Sequence, residues 1–431
     1  MRSLYAIVFM AVLMFSTQAQ AALKIDITQG NVEPMPIAIG DFFTTSGATT
    51  TLSDQVRQVI ENDLLTTGLF RPIDNKAFLE ILPIDKLPNY RSWRQIGALS
   101  FTSGRITDSG DKVTVEFRLW DPAMEKQIEG SSFTLPKASW RRAAHKISDQ
   151  IYKRLTGEEG YFDTRVLFIS ESGALTNRMK KLAIMDHDGA NYKELTDGKH
   201  LVLTPRFDPK VHRAIYMSYK SRVPQVYLLD IHTGQQRLVG NFPGMAFSPR
   251  FAPDGNQAIM SIAKDGTTDI YEVDLGSSRL QRLTSGSGTI NTSPTYSPDG
   301  SRIAFTSDRG GQPQIYVMNR DGTGVKRISF GDGSYSTPVW SPRGDFIAFT
   351  KQKGQFYIGV MRTDGSGERL LTSSYMDEGP TWAPNGRVIM FSRQQMGAGY
   401  KIYAVDVTGY NERLIETPLD ASDPAWSPLL G

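Results

Sequence analysis

The residues able to do chemistry in this chain are few and scattered. No cysteine occurs among the 431 residues, which excludes thiolate nucleophiles, disulfides and thiolate-bound metals in one step. The turn "DHDG", Asp186 to Gly189, has part of a calcium loop, but the D-x-[DN]-x-[DN]-G spacing that wraps the cation is incomplete, and a tight turn is the better reading. His187, His200, His212 and His232 fall at different phases of the repeat described below, whereas a metal-dependent lactonase needs ligands converging on one point. A serine hydrolase needs a G-x-S-x-G turn on its own α/β domain, and none occurs. A propeller enzyme of the oligopeptidase or lactonase type is therefore the alternative reading. A non-enzymatic binding scaffold is preferred, with no catalytic, cofactor or metal residue assigned. Arg141, Arg142, Lys146, Lys153 and Arg154 cluster on one helical stretch and could bind an anion. The net charge of only +3 favours a solvated helix face instead, and gives no reason to expect a nucleic-acid partner.

Such scattered groups can act together only if a scaffold gathers them, and the scaffold is written as a repeat. A box of the form proline, any residue, aromatic begins at Pro205, Pro249, Pro294, Pro338, Pro380 and Pro424, at successive spacings of 44, 45, 44, 42 and 44 residues. A second box, an apolar run ending in a turn, keeps nearly the same period at Asp186, Asp230, Asp274, Asn319, Arg362 and Asp406. Each unit reads as four short strands. In one unit, "SPTYS", "SRIAFTSD", "PQIYVMN" and "VKRISF" are separated by "PDG", "RGGQ" and "RDGTG", where proline presets φ and glycine supplies positive φ. Four strands per 40–45 residues is the signature of a β-propeller blade. The box aromatics Phe207, Phe251, Tyr296, Trp340, Trp382 and Trp426 are expected to pack between blades rather than to stack on a ligand, since every blade carries one.

The first unit, from Thr164, has three strands and no box; "YFDT" stands in its place. The chain ends on an orphan box, "DPAWSPLLG", with nothing after it. Two incomplete blades make one if the terminal strand closes the ring, which also removes two exposed sheet edges. The expectation is an α/β N-terminal domain followed by a six-bladed β-propeller closed by the C-terminal strand, the propeller spanning residues 161–431.

Residues 1–21 combine a basic start, an apolar run of twelve residues and an Ala19-x-Ala21 end, which reads as a signal peptide cleaved after Ala21; a retained membrane anchor is the weaker alternative. Residues 34–160 read as the small α/β domain. "MPIAIGDFF" is a buried strand, and "TLSDQVRQVIENDLLTTG" a helix with Ser53 as candidate cap and Gly68 as stop. "ALSFTSGRI" and "DKVTVEFRLWD" form a hairpin, and "ASWRRAAHKISDQIYKRLTG" an amphipathic helix ending at Gly157. Ahead of them, Leu23, Ile25 and Ile27 alternate with Lys24, Asp26 and Thr28 in a strand pattern. That strand is too short to stand alone, so it pairs within the protein or adds to a partner's sheet edge.

With its leader, α/β domain and blades such as "SPTYSPDGSRIAFTSDRGGQPQIYVMNRDGTG", the chain resembles the TolB family of the Gram-negative Tol–Pal system over its whole length. The blade motif alone is shared with prolyl oligopeptidase-type propellers; the order of domains makes the resemblance specific. The resemblance implies a periplasmic monomer, peripheral to the membrane only through its partners. It implies binding of the lipoprotein Pal through the propeller and of TolA through residues 22–33, with Ala22, Leu23, Lys24, Ile25, Asp26, Ile27 and Thr28 as its TolA-binding residues. The implied roles are outer-membrane integrity and constriction at cell division, with colicins and other envelope proteins as further partners. Carried onto this chain, the family's Pal contacts fall just ahead of the boxes, near Met245 and Ser248 and near Thr292 and Ser293. Repeat phase adds His200, Tyr335 and Glu378 to that rim. The loop "FPGMAFSP" departs from the family in carrying no histidine.

Overall fold

A computed structural model describes residue 25 and residues 32–174, 176–221, 223–286 and 288–431. The cleavage site therefore lies outside the described residues, as does most of the 22–33 segment.

The N-terminal unit is built on a sheet of β1 (Met35–Ala38), β2 (Phe42–Thr44), β3 (Phe70–Pro72), β4 (Ser100–Asp108), β5 (Lys112–Asp121) and β6 (Lys126–Pro136). The order is β3-β1-β4-β5-β6, with β2 on β4. The helix-linked strands pair in parallel and the hairpin strands antiparallel. Val113, Val115, Phe117 and Leu119 recur at period two, so one face of β5 is apolar and buried. It packs under α1 (Thr51–Thr66) and α3 (Trp140–Thr156), which contribute Val56, Ile60, Leu64, Ile147, Ile151 and Leu155 to the same core. The short α2 (Tyr90–Gln95) covers a separate core with Trp93 stacked on Phe101. The cap of α1 is not Ser53. Thr50 takes that place and accepts from the Ser53 backbone NH, while Ser53 answers as the reciprocal partner of a capping box. Gly157 ends α3 at φ +80°, a conformation that costs glycine little.

Six four-stranded sheets follow in a closed ring. Five come from consecutive chain. In the first blade the innermost strand is Asp420–Trp426, which pairs antiparallel with Arg165–Ser172, Asp420 opposite Glu171 and Trp426 opposite Val166. The box aromatics tie each blade to the one before. Tyr296 donates its hydroxyl to Glu272 at 2.6 Å, and Trp382 donates its indole NH to the Val339 carbonyl at 3.0 Å. Trp426 donates its indole NH to Thr164 at 2.8 Å, while its backbone NH reaches Thr381 of the sixth blade.

The α/β unit sits on one end of this ring, the end formed by the turns that follow the first and third strands of each blade. Asn411 donates to the Thr66 carbonyl at 2.7 Å, Asn385 donates to the Glu159 carbonyl at 2.9 Å, and Arg343 pairs with Glu158. Of the basic face of α3, expected to be solvated, Arg141, Arg142 and Lys146 are instead part of this junction, whereas Lys153 stays exposed and Arg154 donates to the Ile128 carbonyl of its own domain. Arg141 pairs with Asp186 and Asp188, and Arg142 with Asp163 while also donating to the Leu430 and Gly431 carbonyls; Lys146 joins the same group. Half-buried cations facing carboxylates gain more from their partners than from water, which sequence spacing alone cannot show. The loops leading into the innermost strands emerge at the opposite end.

Candidate functional site

A β-bulge interrupts the innermost strand of every blade, immediately ahead of the proline. The residue before each proline has positive φ: Thr204 +52°, Ser248 +51°, Ser293 +53°, Thr337 +47°, Gly379 +66° and Asp423 +51°. Five of the six are not glycine, and a residue preceding proline is already crowded, so each such position stores of order 1–3 kcal/mol of strain. All six line one axial cavity of about 140 Å³ together with Arg206, Arg250 and Glu378. Strain repeated around one axis is the pattern expected where a scaffold holds backbone in place for recognition.

The charges in this cavity are asymmetric. Asp423 accepts from the Thr204 backbone NH at 3.1 Å, and Glu378 accepts from the Tyr400 hydroxyl at 3.1 Å. Burial, with the charge of Asp423 beside it, raises the Glu378 pKa above the usual carboxylate value. Arg206 donates to the Pro205 carbonyl at 2.6 Å, while its Nε has no hydrogen-bond partner among the described residues.

The residues expected on the rim separate in space. Ser248, Ser293 and Glu378 line the axial cavity. Met245, 46% exposed, opens its inner strand, and the half-buried Thr292 lies one residue before the bulge, opposite Thr306. His200 is exposed and lines a separate open depression of about 790 Å³ with Glu194, Lys199 and Lys220. Tyr335 presents no surface: it is 0% exposed, its ring lies in a blade core, and its hydroxyl donates to Glu368 at 2.8 Å. Of the segment Ala22 to Thr28, only Ile25 is described. It is buried, and its NH donates to the Leu155 carbonyl at 2.7 Å, at the end of α3. Arg206 and Arg250 were legible only as two consecutive "PRF" boxes.

A second group joins the domains. Asp63 of α1 accepts from His145 Nδ1 of α3 at 2.8 Å, and its other oxygen contacts His187 Nε2, in the propeller turn "DHDG", at 3.1 Å. The turn closes on Gly189, whose NH donates to the Asp186 carbonyl at 3.0 Å. The donor atoms of Asp63, His145 and His187 lie within 4.8 Å of one another, close enough to be tested against a metal. Both Asp63 oxygens are already engaged by ring nitrogens, and the trio reads as a hydrogen-bonded latch. None of the propeller histidines lines the axial cavity.

The amino-terminal domain model of the TolB family matches residues 23–128, and the TolB β-propeller domain model matches residues 152–430. The Tol-Pal system protein TolB of Rickettsia peacockii is 50% identical over 98% of this chain and 99% of its own length. That of Gluconobacter oxydans is 46% identical over 95% and 89%. The crystal structure of TolB from Acinetobacter baumannii superposes with a TM-score of 0.82 at 26% identity, covering 94% of this chain and all of that one. The chain therefore belongs to the TolB family and has a role in the Tol-Pal system.

Proposed function

We propose that this protein is a periplasmic, non-enzymatic scaffold that binds Pal through the propeller end facing away from the α/β unit, and TolA through residues 22–33. It thereby supports outer-membrane integrity and envelope constriction at division. The observation that carries the reading is the uncovered mouth, where the loops entering six bulged inner strands form a rim around one cavity. A rigid ring presenting variable loops suits a protein partner. Ile25 fits a docked state of the N-terminal segment, and releasing Ile25 to a partner's sheet edge must first break its hydrogen bond to Leu155.

The test is capture of each partner by the mature protein. Thr292→Ile should weaken Pal capture while the melting temperature holds, and deletion of residues 22–33 should abolish TolA capture and spare Pal. Normal Pal capture by the Thr292 variant removes the rim assignment; undiminished TolA capture by the deletion removes the other.

A further inference from the structure

Two arginines from neighbouring blades face the axial cavity at the same position of the repeat, directly after the box proline. The other four blades place Thr295, Val339, Thr381 and Ala425 there. Among the described residues the Arg250 guanidinium has neither hydrogen-bond nor ion-pair partner. Burial and the like charge of Arg206 both push its pKa well below the usual arginine value. Burial lowers that of Arg206 too, against the opposing charge of Asp423. A guanidinium does not shed its proton at any ordinary pH, so these pressures act as an unmet demand for a counter-charge. The acids of the same cavity do not pair with either arginine: among the described residues neither Asp423 nor Glu378 makes an ion pair with Arg206 or Arg250. Among the described residues the Thr204 hydroxyl and Arg206 Nε are buried and unpartnered as well. Unsatisfied donors therefore converge on a space of about 140 Å³, roughly ten times what one water needs.

We propose that the axial channel is an oxyanion site in which Arg206 and Arg250 together grip a carboxylate or phosphate group. Two guanidinium groups lining one cavity offer paired donors to the paired oxygens of such a group. The group comes either as a free anion or on an acidic side chain of a protein docked at the mouth. The site stands on the channel's own geometry and does not require the Pal assignment.

The experiment titrates inorganic phosphate into the mature protein at fixed ionic strength, reading binding heat and melting temperature. Saturable binding is expected, weakened about tenfold or more in Arg250→Gln and lost in the Arg206→Gln/Arg250→Gln double variant, with the exposed Lys210→Gln unchanged. Loss of the guanidinium repulsion should also raise the anion-free melting temperature of Arg250→Gln, which separates a missing site from a misfolded ring. In a second arm, Pal capture is compared for wild type and Arg250→Gln with and without phosphate. Weaker capture by the variant, with phosphate competing in wild type, assigns the anion to the docked protein even if free phosphate binds poorly. No saturable phosphate binding together with unchanged capture overturns the proposal, as does full phosphate binding by the double variant. If wild type fails to capture Pal at all, the partner assignment falls, and the phosphate titration alone decides the channel site.

Discussion

Asp63 is 1% exposed and shared between two imidazoles, one from its own domain and one from the propeller. Burial disfavours its charge, but His145 and His187 outweigh that and hold its pKa below the usual carboxylate range. Burial likewise pulls His145 down. The charge and hydrogen bond of Asp63, helped by Asp188 and Asp186, prevail and raise its pKa to about 9. A raised histidine pKa stabilises the fold fully below the unfolded value, ~6.5, and that contribution fades as pH climbs through about 9. A lowered aspartate pKa acts in the reverse sense, present above the unfolded value of ~3.9 and lost as pH falls. The pair's contribution to stability should therefore plateau between about pH 4 and 6.5 and decline toward pH 9. Denaturation of His145→Gln across that range should show a flatter alkaline limb; an unchanged limb would mean the pair does not couple to folding. Asp63→Asn strands a buried imidazolium and should cost about 3–5 kcal/mol in urea denaturation. Thr50→Ala, which removes only a cap, should cost about 1 kcal/mol.

Among the elements, the terminal strand Asp420–Trp426 tests ring closure most directly. It supplies Trp426 to the core shared by both domains, while Leu430 and Gly431 accept from Arg142 of α3. Removing residues 423–431 should lower stability by more than the ~3–5 kcal/mol of an aromatic truncation, since both blade and junction lose contacts. A truncated protein melting with the wild type would refute closure by this strand. The strand and its five counterparts could be found in sequence because proline and aromatic boxes recur in phase, as could α1, α3 and the β4–β5 hairpin from their periodicity. The bulge ahead of each box could not. Thr204, Ser248, Ser293, Thr337, Gly379 and Asp423 share a backbone conformation but no residue type, and nothing in a threonine announces positive φ. The Asp63–His145–His187 latch was equally hidden, because its members come from two helices and a turn that meet only after folding. Its one sequence trace is a histidine on the apolar face of α3, where Ala144, Ile147 and Ile151 are also buried.

At the scale of the whole molecule the ring has two unlike ends, one covered by the α/β unit through ion pairs and side-chain amides, the other a mouth of loops. Substitutions at the two ends should separate cleanly. Asn411→Arg, at the covered end, should lower the melting temperature through the lost bond to Thr66 while leaving Pal capture intact. Thr292→Ile should do the reverse; capture loss with Asn411→Arg would mean that the covered end, or domain docking itself, also serves the partner.

The pairing of Asp420 with Glu171 also sets a clock. A chain emerging N-terminus first can assemble five blades as their strands appear, but the first blade waits, its inner edge bare, until residues 420–426 arrive. Joining ends so far apart in sequence carries the largest loop-closure entropy of any strand pair in the ring, so closure should be the late, slow event of folding. A chain cut short by even the final strand would keep an open sheet edge within reach of proteases and of other chains. Limited proteolysis of a chain lacking residues 420–431 should therefore run faster than that of the full chain.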